Sequence, residues 1–240
     1  MESAFRHLRH AARLLARSPL YTATAILSLA VGLGANTAIF TTANALLLSP
    51  TPGVHEMERL VDIGRTRPGG AGMDTVSFPT YADLRNREGL FAGVYALRLE
   101  PQPFSLGGDA GATRVYGQQV SASYFDVLGL QPAAGSFFRS AEEQLGVPLR
   151  SAVLTHAFWQ SHFDGQAGVV GREIVLNGDR FTVVGVGPSG FEGSTVLAPD
   201  LWVPLTSYAR GMASDETLRG RFNNHLILGA RLEPDGSVGE

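Results

Sequence analysis

Any chemistry in this chain would have to come from six histidines, 22 carboxylates, 19 cationic side chains and the hydroxyl residues. There is no Cys, which removes the thiol nucleophile, the Cys-bearing zinc site and the disulfide framework. There is also no Lys: every residue in the cationic count is Arg. A phosphate-binding loop of the Walker type needs a Lys to reach the β- and γ-phosphates, and Schiff-base chemistry needs an amine, so both are excluded. His156 and His162 are six residues apart and do not share a helix face, and no carboxylate stands between them at ligand spacing. Ser189 and Ser194 lie in GPSGFEGS, which lacks the spacing and the strand-to-helix turn of a nucleophile elbow. Asp109, Glu142, Glu143, Asp164 and Asp179 fall in apparent turns, where solvated carboxylates are expected, and nothing pairs two of them for acid–base work. No catalytic, cofactor-binding or metal-ligating residue is nominated, and the chain reads as a non-enzyme. The net charge of −3 and the lack of aromatics interleaved with basic residues leave no case for a nucleic-acid partner.

What the sequence does build is an anchor and a scaffold. Residues 21–48 contain no charge. As a helix this run of roughly 28 residues is about 42 Å long, against a hydrocarbon core of about 30 Å. Pro19 precedes it, where a helix accepts proline, and Pro50 and Pro52 follow it, where the helix should stop. Ahead of Pro19, Phe5, Leu8, Ala12 and Leu15 fall on one helical arc, and Arg6, Arg9, Arg13 and Arg17 fall on a neighbouring one. That pattern predicts a basic amphipathic helix in the membrane interface, held on the cytoplasmic side by its arginines. The expected layout is a cytoplasmic helix over 1–19, a transmembrane helix over 20–49 and an extracytoplasmic domain over 50–240. The small residues Ala30, Gly32, Gly34, Ala35 and Ala38 would let another helix approach. The competing reading is a secretory signal cut after Ala45, which would release a soluble protein. The apolar run is longer than the usual h-region of about 7–15 residues and continues through Leu46–Leu48.

After Pro52 the pattern predicts an α+β domain. Strands are expected at 59–65 and 91–99, with a Gly/Pro loop at 67–72 and a helix at 78–87 capped by Ser77. A hairpin is expected over 104–106 and 113–120, turning at Gly107-Gly108. Ser121 or Ser123 should cap a helical turn at 124–128 that Gly129 stops. Tyr124, Phe125, Leu128, Phe137 and Phe138 are read as core. A strand at 151–155 leads into a helix capped by Thr155, with Phe158, Trp159 and Phe163 as packing residues. Two β-branched runs flank Asn177-Gly178-Asp179, the chemistry of a tight hairpin. Residues 201–205 form a short strand that Pro204 places at an edge, and 225–232 form the last strand. Ser237 would cap a further helix, so the end of the chain reads as interrupted.

Several of these stretches resemble a known family. Residues 27–48, LSLAVGLGANTAIFTTANALLL, look like the first transmembrane helix of MacB-type ABC transporter permeases, of the FtsX-like permease family. RHLRHAARLLARSP resembles that family's cytoplasmic amphipathic helix. VSASYFDVLGLQPAAGSFF, SAVLTHAFWQSHF, VVGREIVLNGDRFTVVGVGPSGFEG and LWVPL resemble its periplasmic core domain. The chain departs from the family at 46–53, LLLSPTPG, where an LLRPLPY-like stretch is usual, and it lacks the three later transmembrane helices.

The resemblance implies a mixed α/β periplasmic domain of two lobes, one of βαβ type and one inserted and β-rich. It implies a permease subunit of an export or mechanotransmission complex in a bacterial inner membrane. Its partners would be a separate cytoplasmic ABC ATPase, a second permease subunit and the lipid bilayer. No cofactor is implied. The alternative is a membrane-tethered binding or adaptor protein acting alone.

Overall fold

The computed structural model describes residues 17–47, 52–66, 74–87, 89, 91–108, 111–195, 197–210 and 212–234. The chain divides into two compact units, Met1–Ser49 and Pro50–Glu240. The first contains α1, Pro19–Leu47, of 29 residues. Its apolar residues lie all round the helix rather than along one stripe, as suits a helix with lipid on every side. Within Pro19–Thr41 an 18-residue window reaches a mean hydropathy of 1.7, and this stretch is long and apolar enough to cross a membrane. Two of its threonines are satisfied within the helix. Thr24 and Thr37 each donate their hydroxyl to the carbonyl four residues back, Leu20 and Leu33, at 2.8 Å, so neither hydroxyl needs water. The basic helix expected over 1–19 falls almost wholly on positions outside the described residues, as do the 67–72 loop and Ser237.

The second unit begins with a short 3₁₀ turn, Met57–Arg59, and strand β1, Leu60–Ile63. Helix α2, Phe78–Arg85, leads to β2, Phe91–Arg98. Both strands pair antiparallel with β10, Leu226–Leu232, which lies between them. β1 and β2 are therefore parallel to each other, and β1–α2–β2 is a βαβ unit with the last strand inserted at its centre. One face of this sheet, Val94, Ala96, Leu226, Leu228 and Ala230, packs on Phe78 and Tyr81 of α2. The other face, Tyr95 and Leu97, packs on Tyr124, Phe125 and Leu128 of α3, Tyr124–Leu128. Being covered on both faces explains why β10 reads as an almost continuous apolar run.

The rest of the domain is a ring. Strands β3 (Gln102–Gly108) and β4 (Gly111–Val120) form a hairpin. β3 pairs with β7 (Glu173–Leu176), β7 with β8 (Asp179–Val186), β8 with β6 (Ser151–Leu154), β6 with β9 (Leu201–Pro204), and β9 returns to β4. Every strand of this six-membered circuit turns one face to a common core that includes Phe104, Val115, Leu154, Leu176, Phe181 and Leu201. Phe158 and Phe163 of α4, His156–Phe163, pack into the same core, and Thr155 caps that helix by accepting from the Phe158 N–H. Asn177 and Gly178 both take positive φ, 52° and 86°, as a two-residue hairpin of mirror-image type requires.

Four expectations need correction. The β3–β4 hairpin does not turn at Gly107-Gly108: those glycines pair with Ala112 and Gly111 and still belong to the ladder. β9 is not an edge, since it lies between β4 and β6. Pro204 is tolerated because the β6 ladder stops at Trp202 and only the β4 side reaches it. The helix after Ser77 ends at Arg85 instead of residue 87. Ser123 occupies the N-cap position of α3, but its hydroxyl goes to the Val94 carbonyl across the sheet.

The two-residue strand β5, Ala134–Gly135, pairs with β8. Gly135 has φ 72°, and a Cβ there would run into the Val184 carbonyl. Gly135→Ala should therefore cost at least about 2 kcal/mol through strain and overpacking. Urea unfolding followed by tryptophan fluorescence measures this, and an unchanged midpoint would contradict the packing described.

Candidate functional site

Among the described residues, the histidines, serines and carboxylates that could do chemistry do not come together. His156 lies edge-on to Trp159 and His162 stacks on Phe158, and among the described residues no group of three His, Asp or Glu could hold a metal. Ser194 exchanges hydrogen bonds with the buried Tyr124 hydroxyl, at 2.9 Å to its Oγ and 3.1 Å from its N–H, while Ser189 is exposed in a turn. Asp179 pairs with Arg150 at 3.2 Å, Asp164 closes α4 in left-handed conformation, Glu142 is exposed, and Asp109 lies outside the described residues. Two polar assemblies stand out instead, and both join segments far apart in sequence.

The first is a clamp where the chain enters and leaves the domain. Arg59 donates twice to the Leu232 carbonyl, from Nη2 at 2.6 Å and Nε at 3.2 Å, and pairs with Glu56. Arg231 donates from Nη2 to the His55 carbonyl at 2.7 Å, from Nη1 to that of Glu56 at 3.3 Å, and from Nε to that of Val127 at 2.8 Å. Its guanidinium also lies 3.5 Å from the Glu56 carboxylate. The His55 N–H donates to the Leu128 carbonyl at 3.2 Å. Segment 55–59, the end of α3 and the end of β10 are thus held by two planar cations whose five donors each suit several carbonyls at once. The Arg231 side chain is only 12% exposed, so its bonds to carbonyls count for more than the pairing with the half-exposed Glu56.

The second assembly surrounds Glu143, whose side chain is fully buried. This overturns the expectation of a solvated turn carboxylate. Glu143 accepts from the Ala122 N–H at 3.1 Å, from Arg85 Nη1 at 3.1 Å and from the Tyr81 hydroxyl at 3.2 Å. Tyr81 Oη is also 3.1 Å from Ser123 Oγ, which donates to the Val94 carbonyl at 2.8 Å. Each hydroxyl carries one proton. With Glu143 ionised, Tyr81 gives its proton to the carboxylate and the Tyr81–Ser123 contact holds none. With Glu143 protonated, donation runs Glu143 to Tyr81 to Ser123 to Val94 without a gap. Burial pushes the Glu143 carboxyl above its ordinary range, while the Ala122 N–H, Arg85 and Tyr81 pull the other way. Burial likewise raises Tyr81. This network joins α2, the β4–α3 junction and the loop before β6.

Comparison with known proteins decides what these elements belong to. Residues 22–234 match the family described as MacB-like periplasmic core domain. The chain belongs to that family. Its members are ABC transporter permeases. Among solved structures, the periplasmic region of MacB from Actinobacillus actinomycetemcomitans matches with a TM-score of 0.55 at 14% identity, over 80% of this chain and 81% of that one. A domain of a putative permease protein from Porphyromonas gingivalis matches with a TM-score of 0.54 at 16% identity, over 77% of each chain. At these identities the likeness is one of fold: an α+β domain of MacB periplasmic type. No curated protein matches the chain. The MacB-type family and the apolar α1 together describe a membrane protein with an extracytoplasmic domain.

Neither the clamp nor the buried network was signalled by a motif. Glu143 sits in FRSAEEQLG and Arg231 in GARLEP, both of which read as surface chemistry. The one available signal is that Arg231 interrupts a buried strand.

Two outcomes follow for this MacB-type domain. Because the folded pKa of Glu143 is raised, its contribution to stability is full below 4.5, the ordinary value, and is lost as pH rises through the folded value. Glu143→Gln should remove that slope, so the stability difference between wild type and variant should change between pH 4 and pH 8 in urea unfolding. A constant difference would refute the assignment. Arg231→Gln should take the guanidinium donors from the His55, Glu56 and part-buried Val127 carbonyls and speed amide exchange at 55–60 by tenfold or more relative to the β-ring. Uniform acceleration across the domain would speak against a local clamp.

Proposed function

We propose that this chain is the permease subunit, or part of it, of an ABC-type export or mechanotransmission complex. In this reading a separate cytoplasmic ATPase hydrolyses ATP, two permease subunits associate in a bacterial inner membrane, and the periplasmic domain moves in response. The observation that carries it is the extent of the family match. It runs from residue 22 to 234 and so takes in most of the apolar helix as well as the folded domain. The layout that follows is a cytoplasmic helix over 1–19, a transmembrane helix over 20–49 and a periplasmic domain over 50–240.

The clamp supports the coupling role. Movement of the chain at segment 55–59 would pass through Arg59 to the end of β10 and through Arg231 to the end of α3. From segment 55–59 to those two ends each link is a charge-assisted hydrogen bond. The chain itself supplies no hydrolytic chemistry in this scheme. The absence of Lys rules out a Walker-type loop within it, so the energy would come from the partner.

Purification of the full chain from native membranes in mild detergent should recover a cytoplasmic ATPase carrying a Walker-type loop. Repeated recovery of the intact protein without one would defeat the reading. Orientation has its own test. Replacing Arg6, Arg9, Arg13 and Arg17 with Glu removes the charges that hold the N-terminus inside. A periplasm-active reporter fused after Pro234 should then lose more than half of its signal. A reporter that stays fully active in that variant would contradict the proposed orientation.

A further inference from the structure

We infer that the cavity at the Arg98 end of β2 is a binding site for a small oxyanion, a carboxylate or phosphate group. The cavity has a volume of about 440 Å³ and is lined by Arg98, Thr217, Asn223, Asn224 and His225, with Met212 and Ala213 beside them. No carboxylate stands among the described lining residues. Among the described residues Arg85, Arg150, Arg180, Arg219 and Arg221 each pair with an acid, whereas Arg114 and Arg172 do not. Among the described residues Arg98 has no such partner.

The cation is nevertheless held in place. Its Nη1 donates to Gln119 Oε1 at 3.3 Å, and its own carbonyl accepts from Gln118 Nε2 at 2.8 Å. Both glutamines are buried, with Gln119 only 1% exposed. The Gln119 amide has its oxygen turned to Arg98 and its Nε2 left buried without a partner. The reverse orientation would set two donors against each other. A cation positioned by a buried amide, facing a concave space lined with neutral amides and a hydroxyl, matches what a bound carboxylate or phosphate needs.

His225 reports on the same space. Its Nδ1 lies 2.8 Å from the Asn223 carbonyl, so the ring proton sits there, and Nε2 is buried without a partner. Burial and the nearby Arg98 charge both hold the imidazole below its ordinary pKa. The backbone carbonyl of Asn223 pulls the other way. An anion in the cavity would offset the Arg98 charge and raise that value. The arginine clamp lies at the opposite end of β10, since Leu226 pairs with Arg98 and Leu232 with Phe91. Failure of this site therefore leaves the permease reading in place.

The test follows the His225 imidazole by NMR in the full chain in zwitterionic micelles, with His225→Gln to assign its signal. Phosphate or succinate at constant ionic strength should raise the His225 pKa saturably by at least half a pH unit, and chloride should not. Arg98→Gln should abolish the response. Asn224→Asp, a change at an exposed position, should weaken it tenfold or more even if Arg98→Gln does not fold. Liposomes containing phosphatidylglycerol form a separate arm: a response to them alone keeps the site and identifies a lipid headgroup as the source. Equal behaviour in phosphate, succinate, liposomes and chloride, or an undiminished response in Asn224→Asp, would overturn the proposal.

Discussion

Strand β4 has to satisfy two sheets at once, and the domain exists in this form because it can. Its first residues, through Gly117, pair with β3 in the ring. Residues Gly117–Val120 pair with β9, and Val120 also faces Leu97 of β2. Gly117 marks the crossing, for a Cβ there would strike the Phe104 ring on one side and approach Leu201 on the other. Val120, Trp202 and Leu97 then enter one aromatic cluster with Tyr124, Phe125, Phe137 and Phe191. Phe125 stacks on Phe137 with centroids 4.1 Å apart, and Trp202 stands edge-on to Phe125 at 5.3 Å. Rings in such geometry resist sliding as well as separation. The two lobes of this MacB-type domain are joined by covalent strand and close-packed aromatics, not by a flexible linker.

How much of this could be read from the sequence depends on the range of the interaction. Where the cause is local, the residues state it. Asn177-Gly178 fixes a hairpin, Thr155 caps a helix, and the uncharged run becomes α1. The aromatic stretch 124–138 is core as its composition implied, because five large apolar side chains have no other favourable place. The failures are non-local. Pro204 signals an edge only if the neighbours of its strand are unknown; β4 and β6, both more than 45 residues upstream, flank β9, and only β4 reaches Pro204 itself. Glu143 resembles its exposed neighbour Glu142, and only the arrival of α2 with Tyr81 and Arg85 decides which carboxylate is buried. Periodicity cannot report that choice.

Burial of Glu143 also explains why two lobes with separate cores do not drift apart in register. A buried carboxylate is costly unless each lone pair is met. Its three donors come from α2 and from the β4–α3 junction. If the loop carrying it shifted by one residue, the carboxylate would lose all of them together. Apolar contacts alone would tolerate such a slip at small cost, because hydrophobic surfaces are not directional. The polar network therefore supplies alignment more than stability.

The position of β10 carries the mechanical argument furthest. It closes the first sheet from the far end of the sequence, so Arg59 reaches a partner 173 residues away. Contacts of that separation are slow to form, and a simpler chain order would have placed a local strand there. What the arrangement provides is a central strand bonded along both edges, to β1 over Leu60–Ile63 and to β2 over Phe91–Arg98. A force applied along β10 loads two ladders in shear, with many hydrogen bonds resisting together. The same force on an edge strand would peel one ladder a bond at a time. The arginine clamp sits at the end of that central strand, where it ties the incoming chain to the stiffest line in the lobe. A pull on segment 55–59 would there be shared between the β1 and β2 ladders of the central strand before it reached the aromatic core.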